Sequence, residues 1–346
     1  MIKVLIVDDS VFMRTVIRDM LSKESSIEIV GTATNGLEAL EMIKDLSPDL
    51  VTLDIVMPRM NGIEVLKELQ QQKVRPKILI LSSLTSKDAE MTHEAIRLGA
   101  DDFMLKPKDI PNVREIGEEL VSKIKHIISL KKIEKRARKT GPFPAADRVV
   151  LIGSSAGGPP MLDSLLAELP ADLPAGIVVT QHMPVGFTAA LAERFNRITS
   201  MPVDETKNGD YVERGRILLS MAGVHTVISG AIRESVGKTG RIVHSTSPPL
   251  HGVRPAVDVT FESAAHVYGK NIVSVILSGM GHDAGAGAQS IRQAGGTSLI
   301  CDEKDCLVYG MARSAITKDA VDKVLPLGKL AAEIERVILE MERKHV

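Results

Sequence analysis

Short apolar runs alternate with amphipathic stretches along most of this 346-residue chain. In the first part the runs fall at residues 3–7, 27–33, 50–53, 77–81 and 102–105, each ending near a polar residue or turn. They are rich in Val, Ile and Leu and too short for core helices, so they read as buried strands. Stretches such as 36–46 and 62–71 carry helical periodicity between them. Strands alternating with helices predict a parallel sheet covered on both faces. The alternation resumes at 149–152, 176–180, 217–220, 272–277 and 297–300, while 226–232 and 241–243 read as a hairpin or edge strands. A chain of this length exceeds one ordinary core. Two α/β domains are expected, a five-stranded parallel sheet and then a doubly wound one, with no internal repeat.

Between them Lys123, Lys125, Lys131, Lys132, Lys135, Arg136, Arg138 and Lys139 crowd one stretch, followed by Gly141-Pro142-Phe143-Pro144. This reads as a helix end and a linker, giving domains at 1–125 and 147–346 with the linker at 126–146. A solvated helix face and a docking surface for an acidic partner both account for the charge. Over the whole chain the net charge is only -1, which argues against nucleic-acid or membrane attraction. Trp is absent and aromatics are 3% of residues, so stacking platforms for single strands are not expected. Cys301 and Cys306 lie outside C-x-x-C spacing and fit a reduced, cytoplasmic protein. No signal peptide and no membrane-spanning apolar run are read from the sequence.

The strand ends carry the chemistry. In an open parallel sheet the carboxyl ends of the strands gather at one edge. Asp8 and Asp9 follow the first strand, Asp54 ends the third, Ser82 (or Ser83) the fourth and Lys106 the fifth. Three carboxylates brought together repel one another and need a cation, and hard oxygen ligands without His or Cys suit Mg²⁺. Such a metal, with Lys106, would screen an incoming phosphoryl group. Val7-Asp8-Asp9-Ser10, Leu53-Asp54-Ile55-Val56-Met57-Pro58, Asn61-Gly62 and Leu105-Lys106-Pro107 resemble the flavodoxin-like receiver domain of bacterial response regulators. The resemblance implies that Asp54 accepts phosphate from a histidine kinase. It implies Asp8, Asp9, Asp54 and the Val56 carbonyl as Mg²⁺ ligands, Ser82, Phe103 and Lys106 as switch residues, and a cis bond at Lys106-Pro107.

In the second domain the run at 149–152 leads into Gly153-Ser154-Ser155-Ala156-Gly157-Gly158, a G-x-S-x-G frame on Ser155. A tight strand-to-helix turn lifts a serine hydroxyl out of the backbone, and glycines permit that turn. A nucleophilic serine needs a base, and the base an orienting carboxylate. His182 follows the strand at 176–180 within Gln181-His182-Met183-Pro184. Asp283 follows the strand at 272–277 within Ser278-Gly279-Met280-Gly281-His282-Asp283. The order Ser, His, Asp differs from the Ser, Asp, His of ordinary α/β-hydrolases. His282 competes for the base role. Gly279-x-Gly281-x-x-Ala284, followed by a strand and Asp302, also approximates a dinucleotide fingerprint, so an oxidoreductase remains a rival. Arg254 and Asp258 read as a structural ion pair or loop anchor rather than direct chemistry.

Residues 148–345 resemble the catalytic domain of the CheB family of chemotaxis protein-glutamate methylesterases. The resemblance rests on Ile152 to Gly158, Gln181 to Thr188, Arg254-Pro255-Ala256-Val257-Asp258, Ser278 to Gly281, and Val308-Tyr309-Gly310-Met311. Ala156, His282, Ala284 and Ala312 stand where Thr, Asn, Gly and Pro are frequent in that family. The resemblance implies Ser155 as nucleophile, His182 as base and Asp283 as orienting acid. Backbone N–H groups near Ser155, at Ala156 and Met280, are the expected oxyanion donors. No cofactor is expected at the esterase site. The implied partners are methylated chemoreceptor helices and a chemotaxis histidine kinase, with receptor glutamine deamidation as a related activity. The other rivals are DNA binding, the commonest output behind a receiver, and a binding or regulatory role; no helix-turn-helix is read in the output domain.

Overall fold

The computed structural model describes residues 1–72, 75–106, 113–129, 143–233 and 237–343. The peptide bond to Pro107 and the basic run from Lys131 to Lys139 lie outside them. The chain divides into two compact units, Met1–Ile133 and Glu134–Val346.

In the first unit β1 (Ile2–Val7), β2 (Ile27–Ala33), β3 (Leu50–Asp54), β4 (Lys77–Ser82) and β5 (Asp102–Leu105) form a parallel sheet in the order β2-β1-β3-β4-β5. Val4 to Val7 and Ile78 to Leu81 are buried, which explains the unbroken apolar runs. The helices are α1 (Val11–Leu21), α2 (Gly36–Leu46), α3 (Gly62–Gln70), α4 (Ser86–Arg97) and α5 (Val113–Ser129). Polar side chains start four of them. Ser10, Asn35 and Thr85 accept from first-turn N–H groups, and Asn61 with Glu64 closes a capping box on α3. The strand order reverses between β1 and β3, so Asp8 and Asp54 flank the crevice where such sheets bind ligands.

The second unit is built on β6 (Val149–Ser154), β7 (Gly176–Gln181), β8 (Val203–Glu205), β9 (Ile217–Leu219), β12 (Ile272–Ile276), β13 (Thr297–Cys301) and β14 (Lys323–Leu325). They form a seven-stranded parallel sheet in the order β14-β13-β12-β6-β7-β9-β8. Its helices are α6 (Gly158–Glu168), α7 (Thr188–Ile198), α8 (Val257–Tyr268), α9 (Gly285–Gln293), α10 (Gly310–Thr317) and α11 (Leu327–Arg343). The chain winds outward from β6 in one direction through β7 and in the other through β12, β13 and β14. Right-handed crossovers then put α6 and α9 on opposite faces, the doubly wound arrangement expected. The ends of β12, β6 and β7 are in register, with Ile276 opposite Gly153 and Ser154 opposite Gln181. The hairpin expected from the sequence is β10 (His225–Arg233) and β11 (Gly237–Ser245), an antiparallel pair outside the main sheet and packed on α8. No helix among the described residues is long and apolar enough to cross a membrane.

Helix α7 is tied to α6 by a buried ion pair of Arg194 and Asp163. Its charges attract strongly because water is excluded, but each has lost its hydration. Asp163→Ala strips the buried guanidinium of its carboxylate and is expected to destabilise this unit by about 3–5 kcal/mol. Denaturant unfolding followed by circular dichroism measures it; a loss below about 1 kcal/mol would contradict a buried, paired charge.

Candidate active site

At the carboxyl edge of the first unit's sheet, Asp8, Asp9 and Asp54 bring carboxylate oxygens within 4.8 Å of one another. Lys106 Nζ lies 2.8 Å from Asp8 Oδ2 and 2.7 Å from Asp54 Oδ2. Asp54 Oδ1 accepts from the Val56 N–H at 3.3 Å, and Asp8 Oδ1 from the Ser10 N–H at 2.9 Å. Burial pushes the Asp54 carboxyl up to about 6, against the pull of Lys106 and with some repulsion from Asp8. The two carboxylates hold the Lys106 ammonium above its ordinary value despite its own burial. Asp8 Oδ2 is buried with no aligned hydrogen-bond donor, only the nearby ammonium. Among the described residues no donor reaches the Val56 carbonyl. Hard oxygens, three carboxylates against one ammonium, and a Val56 carbonyl with no donor fit a hard divalent cation such as Mg²⁺. Ser82 is buried with its hydroxyl accepting from Thr92 Oγ1 at 2.8 Å, and Phe103 is buried on β5 opposite Ile80.

In the second unit three neighbouring strands deliver the serine, histidine and aspartate to one edge. Ser155 follows β6, His182 follows β7, and Asp283 follows β12. The positive φ of this turn falls on Gly157, at +73°, which leads into α6, and not on Ser155. The Ser155 N–H donates to Ser278 O at 2.9 Å, and the His182 N–H to Ser154 O at 3.0 Å. The three loops are therefore fastened to one another through the backbone. Ser278 Oγ adds a bond to Ala156 O at 2.6 Å and accepts from Val308 N at 3.0 Å.

His182 Nε2 lies 2.7 Å from Asp283 Oδ2. That carboxylate also takes the N–H groups of Val257 at 2.6 Å, Asp258 at 2.8 Å and Ala284 at 2.9 Å. Val257 and Asp258 open α8, so the carboxylate sits on a helix N-terminus, where partial positive charge collects. Burial pushes the Asp283 carboxyl up, but the His182 ring and the two α8 amides outweigh it and hold the group below its ordinary 3.8. His182, not His282, meets the aspartate. His282 is exposed, and its carbonyl is taken by Ser314 Oγ at 2.9 Å. Among the described residues nothing hydrogen-bonds the Ser155 hydroxyl, and no acceptor takes the N–H of Ala156 or Met280. Met280 is 60% exposed, which places its side chain on the surface rather than in packing.

Asp258 does not pair with Arg254. It accepts from Gly287 N at 2.7 Å and contacts His251 Nε2 at 2.9 Å, while Arg254 Nη1 donates to the carbonyls of Thr246 and Ser247 at 3.0 and 3.1 Å. Burial, with Asp283 close by, pushes the Asp258 carboxyl up. The sequence reading also passed over Gln181, whose side chain bridges the β6 and β7 ends. Its only signal was an amide placed between a buried strand and His182.

Two family models match the chain: the CheB methylesterase over residues 150–334 and the response regulator receiver domain over residues 4–117. A relative in Methanospirillum hungatei JF-1, protein-glutamate methylesterase/protein-glutamine glutaminase 1, is 53% identical over 342 residues, covering 99% of each chain. A protein-glutamate methylesterase/protein-glutamine glutaminase of Pyrococcus horikoshii is 37% identical over 350 residues, covering 97% of this chain and 94% of its own. The crystal structure of the Thermotoga maritima CheB methylesterase catalytic domain matches with a TM-score of 0.52 and 36% identity, over 55% of this chain and 98% of that one. The parallel-sheet architecture and these matches define a receiver joined to an α/β esterase-type domain. This chain belongs to the CheB methylesterase family.

A carboxyl held below its unfolded value stabilises the fold above that value, and the contribution is lost as the pH falls through the folded one. Wild type should therefore exceed Asp283→Asn in stability at pH 7 by on the order of 1–3 kcal/mol, with the gap closing below about pH 4. Denaturant unfolding of both proteins from pH 3 to 7 measures it. A gap that persists or widens in acid would contradict an ionised, amide-held Asp283.

Proposed function

We propose that this chain hydrolyses glutamate γ-methyl esters on chemoreceptors, with Ser155 as nucleophile, His182 as base and Asp283 as the acid that orients it. The observation that carries the reading is the 2.7 Å contact of His182 Nε2 with an Asp283 carboxylate seated on the start of α8, at the strand end beside Ser155. With Nε2 donating to Asp283, Nδ1 is the nitrogen left to take a proton. Ser155 Oγ attacks the ester carbonyl as its proton passes to His182 Nδ1. The N–H groups of Ala156 and Met280 are the donors left for the carbonyl oxygen as it becomes negative. The C–O bond to methanol breaks, and His182 returns the proton to the leaving oxygen. Water then attacks the acyl-serine, giving its proton to His182, and the glutamate carboxylate is released. A receptor glutamine follows the same course with ammonia leaving, the second activity named in the relatives from Methanospirillum hungatei and Pyrococcus horikoshii.

The receiver, proposed at 1–125 and joined through 126–146 to a catalytic domain at 147–346, is the control element. Asp54 accepts phosphate from a chemotaxis histidine kinase, and the phosphorylated receiver raises esterase activity. Asp8, Asp9, Asp54 and the Val56 carbonyl would hold Mg²⁺, which supplies charge neutralisation at the incoming phosphoryl group. Lys106 pairs with phosphoryl oxygens, and Ser82 trades its contact with Thr92 for one of them while Phe103 repacks. The free cysteines Cys301 and Cys306 support a reducing, cytoplasmic setting. The catalytic apparatus needs no cofactor at Ser155, and direct membrane insertion and nucleic-acid binding are not part of the reading.

Methanol release from methylated receptor membranes, with a small phosphodonor and Mg²⁺, tests the proposal. Wild type should release methanol, and Ser155→Ala should fall by at least about a thousandfold. Equal rates would remove Ser155 as nucleophile. Asp54→Ala should retain basal release and lose the stimulation by phosphodonor; full stimulation in that variant would remove Asp54 as the phosphate acceptor.

A further inference from the structure

Gln181 ends β7 and is buried at 2% exposure. A buried primary amide is costly unless its donors and acceptor are used. Here they are used at the strand ends that carry the serine and the histidine. Oε1 accepts from Ser154 Oγ at 2.5 Å. Nε2 spends one hydrogen on the carbonyl of Ser155 at 3.0 Å and the other on the carbonyl of His182 at 2.9 Å. Reversing the amide would set its oxygen against two carbonyl oxygens, so the network fixes its orientation. The fit is close: a Cβ on Gly158 would lie 2.5 Å from Gln181 Oε1 and 2.8 Å from Ser154 Cβ, so the start of α6 passes over this amide only as glycine.

The carbonyl of Ser155 belongs to the same planar peptide unit as the N–H of Ala156. Its C=O and N–H point in opposite directions, so whatever holds the one aims the other. Gln181 Nε2 and the Gly158 N–H, the latter at 2.9 Å, together hold the Ser155 carbonyl, and the Ala156 N–H is left with no acceptor among the described residues. A bond to the carbonyl also polarises the peptide and makes its N–H a better donor. The bond to the His182 carbonyl fixes the next peptide unit in the same way, and with it the point from which the imidazole departs toward Asp283.

We propose that Gln181 is a positioning residue that aims the Ala156 N–H at the developing oxyanion and locks the spacing between Ser155 and His182. The proposal rests on the reading of Ser155 as nucleophile. It places the benefit in the transition state, because the oxyanion exists only there.

Gln181→Met keeps the volume and removes all three hydrogen bonds. Two rates are compared with wild type: methanol release from methylated receptor membranes, and covalent labelling of Ser155 by a fluorophosphonate. Thermal unfolding and near-ultraviolet circular dichroism establish the folded fraction. The expected result is a 10- to 100-fold loss of kcat with KM within threefold, a parallel loss in labelling rate, and a folded protein. Wild-type kcat and labelling per folded molecule would reduce Gln181 to a structural residue and overturn the proposal. A rise in KM alone would overturn it too, since ground-state binding would then be what Gln181 serves. Should Gln181→Met fail to fold, Gln181→Glu keeps the shape and the acceptor for Ser154, removes the donors, and is read against the same limits. Labelling needs no receptor. A wild type that labels at Ser155 but releases no methanol would sink the substrate reading and leave the Gln181 comparison intact. A wild type that does not label would overturn both.

Discussion

The catalytic end of this molecule depends on one buried carboxylate. Removing Asp283 from water costs several kcal/mol, and the protein returns that cost through three backbone N–H groups and the His182 ring. Two of the amides are the first turn of α8, groups that a helix leaves unpaired and that carry its positive end. One carboxylate thus satisfies the start of a helix, fixes the end of β12 and orients the imidazole that follows β7. Asp258 sits against it and cannot carry a second free charge there cheaply. Its contacts with His251 and the Gly287 N–H answer that repulsion.

The same sheet geometry serves the receiver with different chemistry. There the strand ends gather three carboxylates and a lysine instead of a serine, a histidine and one carboxylate. Burial raises both carboxyls; at Asp54 it wins over the pull of Lys106, whereas at Asp283 the His182 ring and the α8 amides outweigh it. What surrounds a strand-end aspartate decides which way its pKa moves: a lysine and a second carboxylate at Asp54, an imidazole and a helix start at Asp283. The carboxylate itself is the same in both.

Much of this was legible before any coordinates. Buried parallel strands read as unbroken apolar runs, which is why β3 and β6 stood out, and polar residues at their ends marked one functional edge. The placing of Ser155, His182 and Asp283 at three strand ends followed from the apolar runs. The choice between His182 and His282 did not, because neighbours in sequence point to different places once a strand ends. Strands β8 and β14 escaped notice for a physical reason: Val203–Glu205 and Lys323–Leu325 are three residues each, lie at the sheet's two edges, and carry no apolar run. The partner of Asp258 was equally hidden. His251 reaches it from an irregular loop through a left-handed backbone at φ 55°, a conformation no periodicity announces. Gln181 looked like a polar residue at a turn, and only its three bonds reveal what it joins.

The most direct measurement is the protonation of the His182 ring. Nitrogen-15 NMR of histidine-labelled protein near neutral pH distinguishes a ring nitrogen that carries hydrogen from one that does not. The Asp283 contact predicts hydrogen on Nε2 and a bare Nδ1, with that preference lost in Asp283→Asn. Hydrogen on Nδ1 with a bare Nε2, or a ring indifferent to Asp283→Asn, would contradict the account.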